Sequence, residues 1–165
     1  MGKRDIMAKI LPNGRGVWVP IDHGVTDFPA KGLENLESTI TKLIAAEVDV
    51  IVAHKGVVGR FSHLCAGTTT SMIAHLSAST RHGGDHQSNK VLVGSVKEAI
   101  KRGAVGVSCQ VNIGSPTEAS MLERMGYITT DAYMNDVPTL GMIYVRGKNV
   151  NIMENDTTQG YAHAA

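Results

Sequence analysis

Aromatic side chains are scarce in this chain, 4% of 165 residues, with one Trp, two Phe and four Tyr. That leaves too few rings for an aromatic-rich recognition surface. Charge of one sign is also missing: 16 Lys and Arg stand against 15 Asp and Glu, a net +1, so there is no basic footprint for nucleic acid. No apolar run approaches the roughly 20 residues needed to cross a bilayer. The charged start Met1-Gly2-Lys3-Arg4-Asp5 is not followed by the apolar stretch and small-residue site of a secretory signal. Cysteine is nearly absent as well. Cys65 and Cys109 stand alone without CxxC spacing, which argues against a bridge or a metal pair, fits a reducing compartment and sets the expectation of a cytoplasmic location. What is abundant is glycine, 18 of 165 residues or about 11% against a usual ~7%, which suits an enzyme of many tight turns. The 42% hydrophobic content is enough for one sizeable core, and a single domain over 1–165 is expected.

Short β-branched runs alternate with longer amphipathic stretches, the pattern of βα units around a parallel sheet. The principal strands are predicted at 16–21, 50–53, 71–76, 105–111 and 139–143. Leu33, Leu36, Ile40, Leu43 and Ile44 recur at intervals of three and four, which predicts a helix over about 33–47. Ser95, three residues before Glu98, begins a short helix over 95–102 that Gly103 closes. Ser115-Pro116-Thr117-Glu118 opens another, and a last helix is predicted from Asp156 or Thr157. The stretch 80–89, rich in Gly, His, Asp and Ser, reads as a surface loop.

Chemistry-bearing residues recur at the strand ends: Asp22 and His23 after the first, His54 and Lys55 after the second, His75 in the third, Gln110 and Asn112 around the fourth, Tyr144 and Arg146 after the fifth. In a parallel βα array these ends lie on one face, where ligands bind. Each residue also has a plain reading. Asp22 caps a loop, His23 is a loop histidine, Tyr144 is core with its hydroxyl at the rim, and Arg146 pairs with a surface carboxylate. Lys55, directly after an apolar strand, is expected in a buried or cleft position. Together they suit proton transfer beside a phosphate-bearing substrate. Seven histidines raise a metal site, but there is no HExxH or HxH, and Gly83-Gly84 between His82 and His86 disfavours the helix that would make their spacing useful; no metal is expected. Gly14-Arg15-Gly16 precedes a strand instead of following one, so no nucleotide cofactor is indicated.

The segments Val19-Pro20-Ile21-Asp22-His23-Gly24-Val25-Thr26, Lys31-Gly32-Leu33, His54-Lys55-Gly56, His75-Leu76-Ser77, Val111-Asn112-Ile113-Gly114-Ser115 and Tyr144-Val145-Arg146-Gly147 occur in the order found in one family. The chain resembles the class I, Schiff-base aldolases of the DeoC/FbaB type over nearly its whole length. The resemblance implies a TIM barrel and homo-oligomeric assembly; no cofactor is expected. It also implies a lysine that forms an imine with a ketose phosphate, so that the iminium draws electrons from the carbon–carbon bond being broken. Asp22 then matches the carboxylate that takes the hydroxyl proton beside that bond, and Tyr144 the phenolic proton donor. His23, Gly24, Val25 and Thr26 with Asp22, and Val145 and Arg146 with Tyr144, match substrate-contacting stretches; Arg146 suits a phosphate or carboxylate.

Within the family, Val25-Thr26 and Lys31-Gly32-Leu33 lean toward the synthases that transfer to aspartate semialdehyde in aromatic amino-acid biosynthesis. Fructose-bisphosphate aldolase is the alternative, and a non-catalytic sugar-phosphate-binding half-barrel a third. Two positions depart from the family: Val145 stands where it carries proline, and Gln110 where it carries histidine. A complete barrel takes about 250 residues and eight strands, so the first five βα units are expected here. In the family it resembles the imine lysine stands at the end of the sixth strand, so the resemblance implies that it lies beyond Ala165 and that the chain alone is inactive. Lys55 lies on a different strand and has no matching role as a substitute.

Overall fold

Apolar runs too short for helices become strands where β-branched residues can be buried on both faces. In the computed structural model, which describes residues 2–27, 30–83 and 89–145, a helix α1 (Lys3–Ile10) precedes the first strand, β1 (Trp18–Pro20). A single turn α2 (His23–Thr26) and helix α3 (Leu36–Ala45) lead to β2 (Val50–His54), and α4 (Lys55–Phe61) leads to β3 (Ser71–His75). Two very short strands follow, β4 (Ser77–Ala78) and β5 (Val91–Leu92), then α5 (Val96–Lys101), β6 (Gly106–Ile113), α6 (Glu118–Met134) and β7 (Thr139–Val145).

Five of the strands form one curled sheet in the order β1-β2-β3-β6-β7, every neighbouring pair parallel. This is a partial TIM barrel, its first five βα units, as the sequence predicts. The sheet interior supplies the core: Val50, Ile51, Ile73, Ala74 and Val107 are 0% exposed. Pro20, which has no N–H to give a ladder, sits at the end of the edge strand β1.

The helices differ from expectation where a cap or a tertiary contact decides. Asn35 Oδ1 accepts the Ser38 N–H and Glu47 turns at φ 55, so α3 is shorter at both ends than the apolar stripe. Ser95 caps α5 as predicted, accepting the Glu98 N–H at 3.3 Å, and Gly103 at φ 97 follows the helix end. Ser115 instead makes a turn, its hydroxyl accepting the Thr117 N–H, and α6 begins at Glu118. The sequence gives no forewarning of α4, because Gly56 and Gly59 lower its propensity; burial of Val58 and Phe61 holds it. Nor does it forewarn of α1. That helix buries Ile6 and Ile10 and accepts the Trp18 indole N–H at Ile10 O, 2.9 Å, while Asp136 accepts the Lys3 N–H. Trp18 opens β1 and Asp136 precedes β7, so α1 covers the end of the sheet where strands begin. The helix predicted from Asp156 or Thr157 lies outside the described residues.

Candidate active site

At the opposite end, where the parallel strands finish, the chain delivers Asp22, His54, His75 and Tyr144 from β1, β2, β3 and β7. Asp22 occupies the N-cap position of α2, yet its side chain makes no capping bond, so the plain reading of a loop cap does not account for it. Its carboxylate is 14% exposed, and Oδ2 lies 3.8 Å from His75 Nε2.

His75 is held on both ring nitrogens. Nδ1 is 2.7 Å from Ser108 Oγ and Nε2 is 3.2 Å from Ser77 Oγ. Ser77 Oγ also accepts the Gln110 N–H at 2.9 Å, so the hydroxyl that meets Nε2 is itself tied to β6. Burial pushes the His75 pKa down to about 4; the Asp22 charge opposes this, while His54 and Lys90 add to it. Burial also lowers His54, whose Nδ1 lies 3.3 Å from the His75 carbonyl. The two rings meet edge to face, centroids 5.4 Å apart. Near neutral pH both imidazoles are therefore neutral, and neither brings a positive charge to the site.

Asp22, His23, His54, His75, Lys90 and Tyr144 line one cleft of about 580 Å³, with Thr26 and Gln110 also on its wall. Gly24 and Val25 face an adjoining, mostly apolar cavity of about 230 Å³ that shares Asp22 and His54. Gln110 is oriented by Asn112, whose Oδ1 accepts its amide at 2.8 Å; Asn112 itself is fully buried and supports the wall without lining it. Val145 is buried and continues the β7 ladder opposite Ile113. Arg146 lies outside the described residues.

Lys55 corrects the expectation of a cleft position. It starts α4, and its ammonium reaches away to Glu98 of α5 at 3.0 Å, a carboxylate that Arg102 also holds. A long flexible stem follows the nearest carboxylate, which strand-end position cannot foretell. Lys90 is the residue that sequence reasoning missed. Its one signal is that it directly precedes the apolar Val91-Leu92-Val93, where a surface loop gives way to a strand. Among the described residues no cluster of three or more His, Cys, Asp or Glu could hold a metal ion, and no helix is long and apolar enough to cross a membrane.

A neutral imidazole pair, a carboxylate and a phenol facing one cleft suit proton transfer to and from a polar substrate. The sequence pattern of the DeoC/LacD family aldolases matches residues 17–164. The chain is 40% identical to 2-amino-3,7-dideoxy-D-threo-hept-6-ulosonate synthase 1 of Archaeoglobus fulgidus over 165 residues, 100% of this chain and 60% of that protein. It is 34% identical over 150 residues to the 2-amino-3,7-dideoxy-D-threo-hept-6-ulosonate synthase of Halobacterium salinarum, covering 91% of this chain and 56% of that one. Among solved structures it is similar to an archaeal fructose-1,6-bisphosphate aldolase whose catalytic Lys is covalently bound to the carbinolamine intermediate of the substrate. The TM-score is 0.73 with 26% identity, over 89% of this chain and 59% of that one. The chain thus spans 60% or less of the length of these relatives.

Proposed function

Because the chain belongs to the DeoC/LacD family of aldolases, we propose that its cleft takes a ketose phosphate and carries the proton transfers of a Schiff-base carbon–carbon cleavage and transfer, with aspartate semialdehyde as acceptor. The observation that carries this reading is that Asp22 and Tyr144, from the two edge strands of the sheet, line the same cleft. An amine condenses with the ketone and releases water. The iminium then accepts the electron pair of the breaking bond, and Asp22 takes the proton of the hydroxyl beside it as an aldehyde leaves. The resulting enamine attacks the acceptor aldehyde, forming a new bond. Tyr144 is the phenolic proton donor across the cleft, and hydrolysis of the imine returns the amine. His75, fixed by Ser77 and Ser108, keeps Asp22 beside a neutral ring.

The reading takes the imine-forming amine from outside the described residues, since Glu98 engages Lys55 away from the cleft. Borohydride reduction in the presence of a ketose phosphate tests it. The 165-residue chain is expected to remain unmodified and inactive alone; an adduct mapped to Lys55 or to Lys90, the lysine that lines the cleft, overturns the assignment. Fructose-bisphosphate cleavage is the second reading, favoured by the fold shared with the archaeal aldolase. Assaying cleavage of fructose bisphosphate against transfer to aspartate semialdehyde, in protein carrying the imine lysine, separates the two. Sugar-phosphate binding without either reaction would mark a non-catalytic half-barrel. The same proposal includes a single domain, homo-oligomeric assembly and a cytoplasmic location.

A further inference from the structure

The geometry points to Gln110 as the residue that selects a hydroxylated substrate: its side-chain carbonyl accepts the hydroxyl on the ketone-side carbon of the breaking bond. The inference rests on the aldolase reading for the identity of that bond, and on the placement of Gln110 for the rest.

Asp22 follows β1 and Tyr144 stands on β7, so a substrate that meets both passes over the strands between them. The strand beside β7 is β6, and among the described residues it contributes one residue to the cleft wall, Gln110. In the parallel register Gln110 stands opposite Met142, and Asn112 opposite Tyr144. The β7 residues next to it on the wall, Gly141, Met142 and Ile143, bring no polar side chain. On the β6–β7 part of the wall the polar side chains described are thus Gln110 and the proposed proton donor Tyr144.

The Gln110 amide is held at one end. Strand alternation puts Ser108, Gln110 and Asn112 on one face of β6. There Ser108 holds the His75 ring, and the fully buried Asn112 accepts the Gln110 side-chain N–H at 2.8 Å. The Gln110 peptide N–H donates to Ser77 Oγ at 2.9 Å, and the same hydroxyl meets His75 Nε2, the nitrogen 3.8 Å from Asp22 Oδ2. Gln110 is therefore tied through Ser77 to the histidine beside the proposed proton acceptor. Among the described residues no donor meets its Oε1. An amide carbonyl has two acceptor sites and no charge, so it suits a neutral hydroxyl rather than an anion. With Asp22 on the aldehyde-side hydroxyl, the next hydroxyl toward Tyr144 is the ketone-side one. An acceptor already oriented by Asn112 has little freedom left to lose on binding. A ligand without that hydroxyl displaces water from the carbonyl and returns no hydrogen bond.

The test is binding of a matched pair to the 165-residue chain, followed by amide chemical-shift titration. Dihydroxyacetone phosphate carries its hydroxyl on the carbon next to the ketone, and acetol phosphate is the same molecule without it. The parent chain is expected to prefer dihydroxyacetone phosphate about three- to tenfold, and Gln110→Met to abolish that preference while leaving the affinity for acetol phosphate unchanged. A merely structural role would weaken both ligands alike, so the ratio of affinities reads the contact. No preference in the parent chain, a preference that survives Gln110→Met, equal weakening of both ligands, or no binding of either by the parent chain overturns the proposal. Should Gln110→Met fail to fold, the parent chain decides alone. Its Gln110 side-chain amide resonances are expected to move with dihydroxyacetone phosphate and to stay in place with acetol phosphate; equal movement with both overturns the proposal. The aldolase reading fails separately: it falls if Asp22→Asn and Tyr144→Phe leave carbon–carbon cleavage unchanged in protein carrying the imine lysine, whatever Gln110 binds.

Discussion

Among the described residues, the middle of the sheet and its two edges differ in burial. In β2 and β3 nearly every side chain is buried, Val50 to Ala53 and Ser71 to His75, whereas β1 and β7 are half covered and only Val145 among their residues is fully enclosed. The middle strands bury apolar surface on both faces and so fix the sheet. Asp22 follows β1 and Tyr144 rides on β7, and both line the cleft. Of the polar groups that enter the middle, His75 is engaged on both ring nitrogens by Ser77 and Ser108, whereas the buried Ser71 hydroxyl has no hydrogen-bond partner. Core residues and cleft residues thus share one sheet, His54 and His75 closing the middle strands at the cleft end, and substitution can separate the two sets.

The largest effect is expected at the edges and in activity alone. Asp22→Asn, in protein carrying the imine lysine, should slow carbon–carbon cleavage about 10²–10⁴-fold while shifting the urea midpoint little, since the side chain makes no capping bond. A large loss of stability would show that Asp22 belongs to the core instead. Next, Ile73→Ala in β3 should cost about 2–5 kcal/mol in urea unfolding, by cavity formation at a site with 0% exposure. The half-buried Ile143 of β7 should cost about 1 kcal/mol when changed to Ala, and equal losses at the two positions would erase the contrast between middle and edge.

A third effect reads the polar group in the middle. His75 titrates near 4 in the folded chain and near its ordinary 6.5 when unfolded, so between these values the unfolded state binds more protons. Stability is then complete above pH 6.5 and is lost as pH falls toward 4, by on the order of 1–3 kcal/mol. His54 is shifted in the same direction and adds to it. His75→Gln should flatten this profile in denaturant titrations at pH 7 and pH 4.5. The smallest expected change lies away from the sheet: Ser95→Ala removes the cap of α5 and should cost about 1 kcal/mol by thermal or urea unfolding.

The parallel βα pattern, the five principal strands and the α5 cap were legible in the sequence because each depends on periodicity or on residues within one turn of each other. The convergence of strand-end residues was legible for the same reason, since direction is shared by all strands of a parallel sheet. Helix α4 was not, because buried Val58 and Phe61 override its two glycines. The β4–β5 ladder was not, because two paired residues on each side leave no alternation to read. The Lys55 pairing with Glu98 and the placement of Lys90 by Arg124 join residues far apart in sequence, and local patterning carries no record of them.

The amino-acid order by itself therefore determined which segments become strands, which way they run and which residues stand at their ends. Tertiary structure alone decided which lysine lines the cleft, which hydroxyls hold the His75 ring and which carboxylate takes Lys55. Backbone direction and amphipathic period are properties of neighbours along the chain, whereas the reach of an ammonium and the partners of a buried ring are set by whatever non-neighbouring groups fold against them.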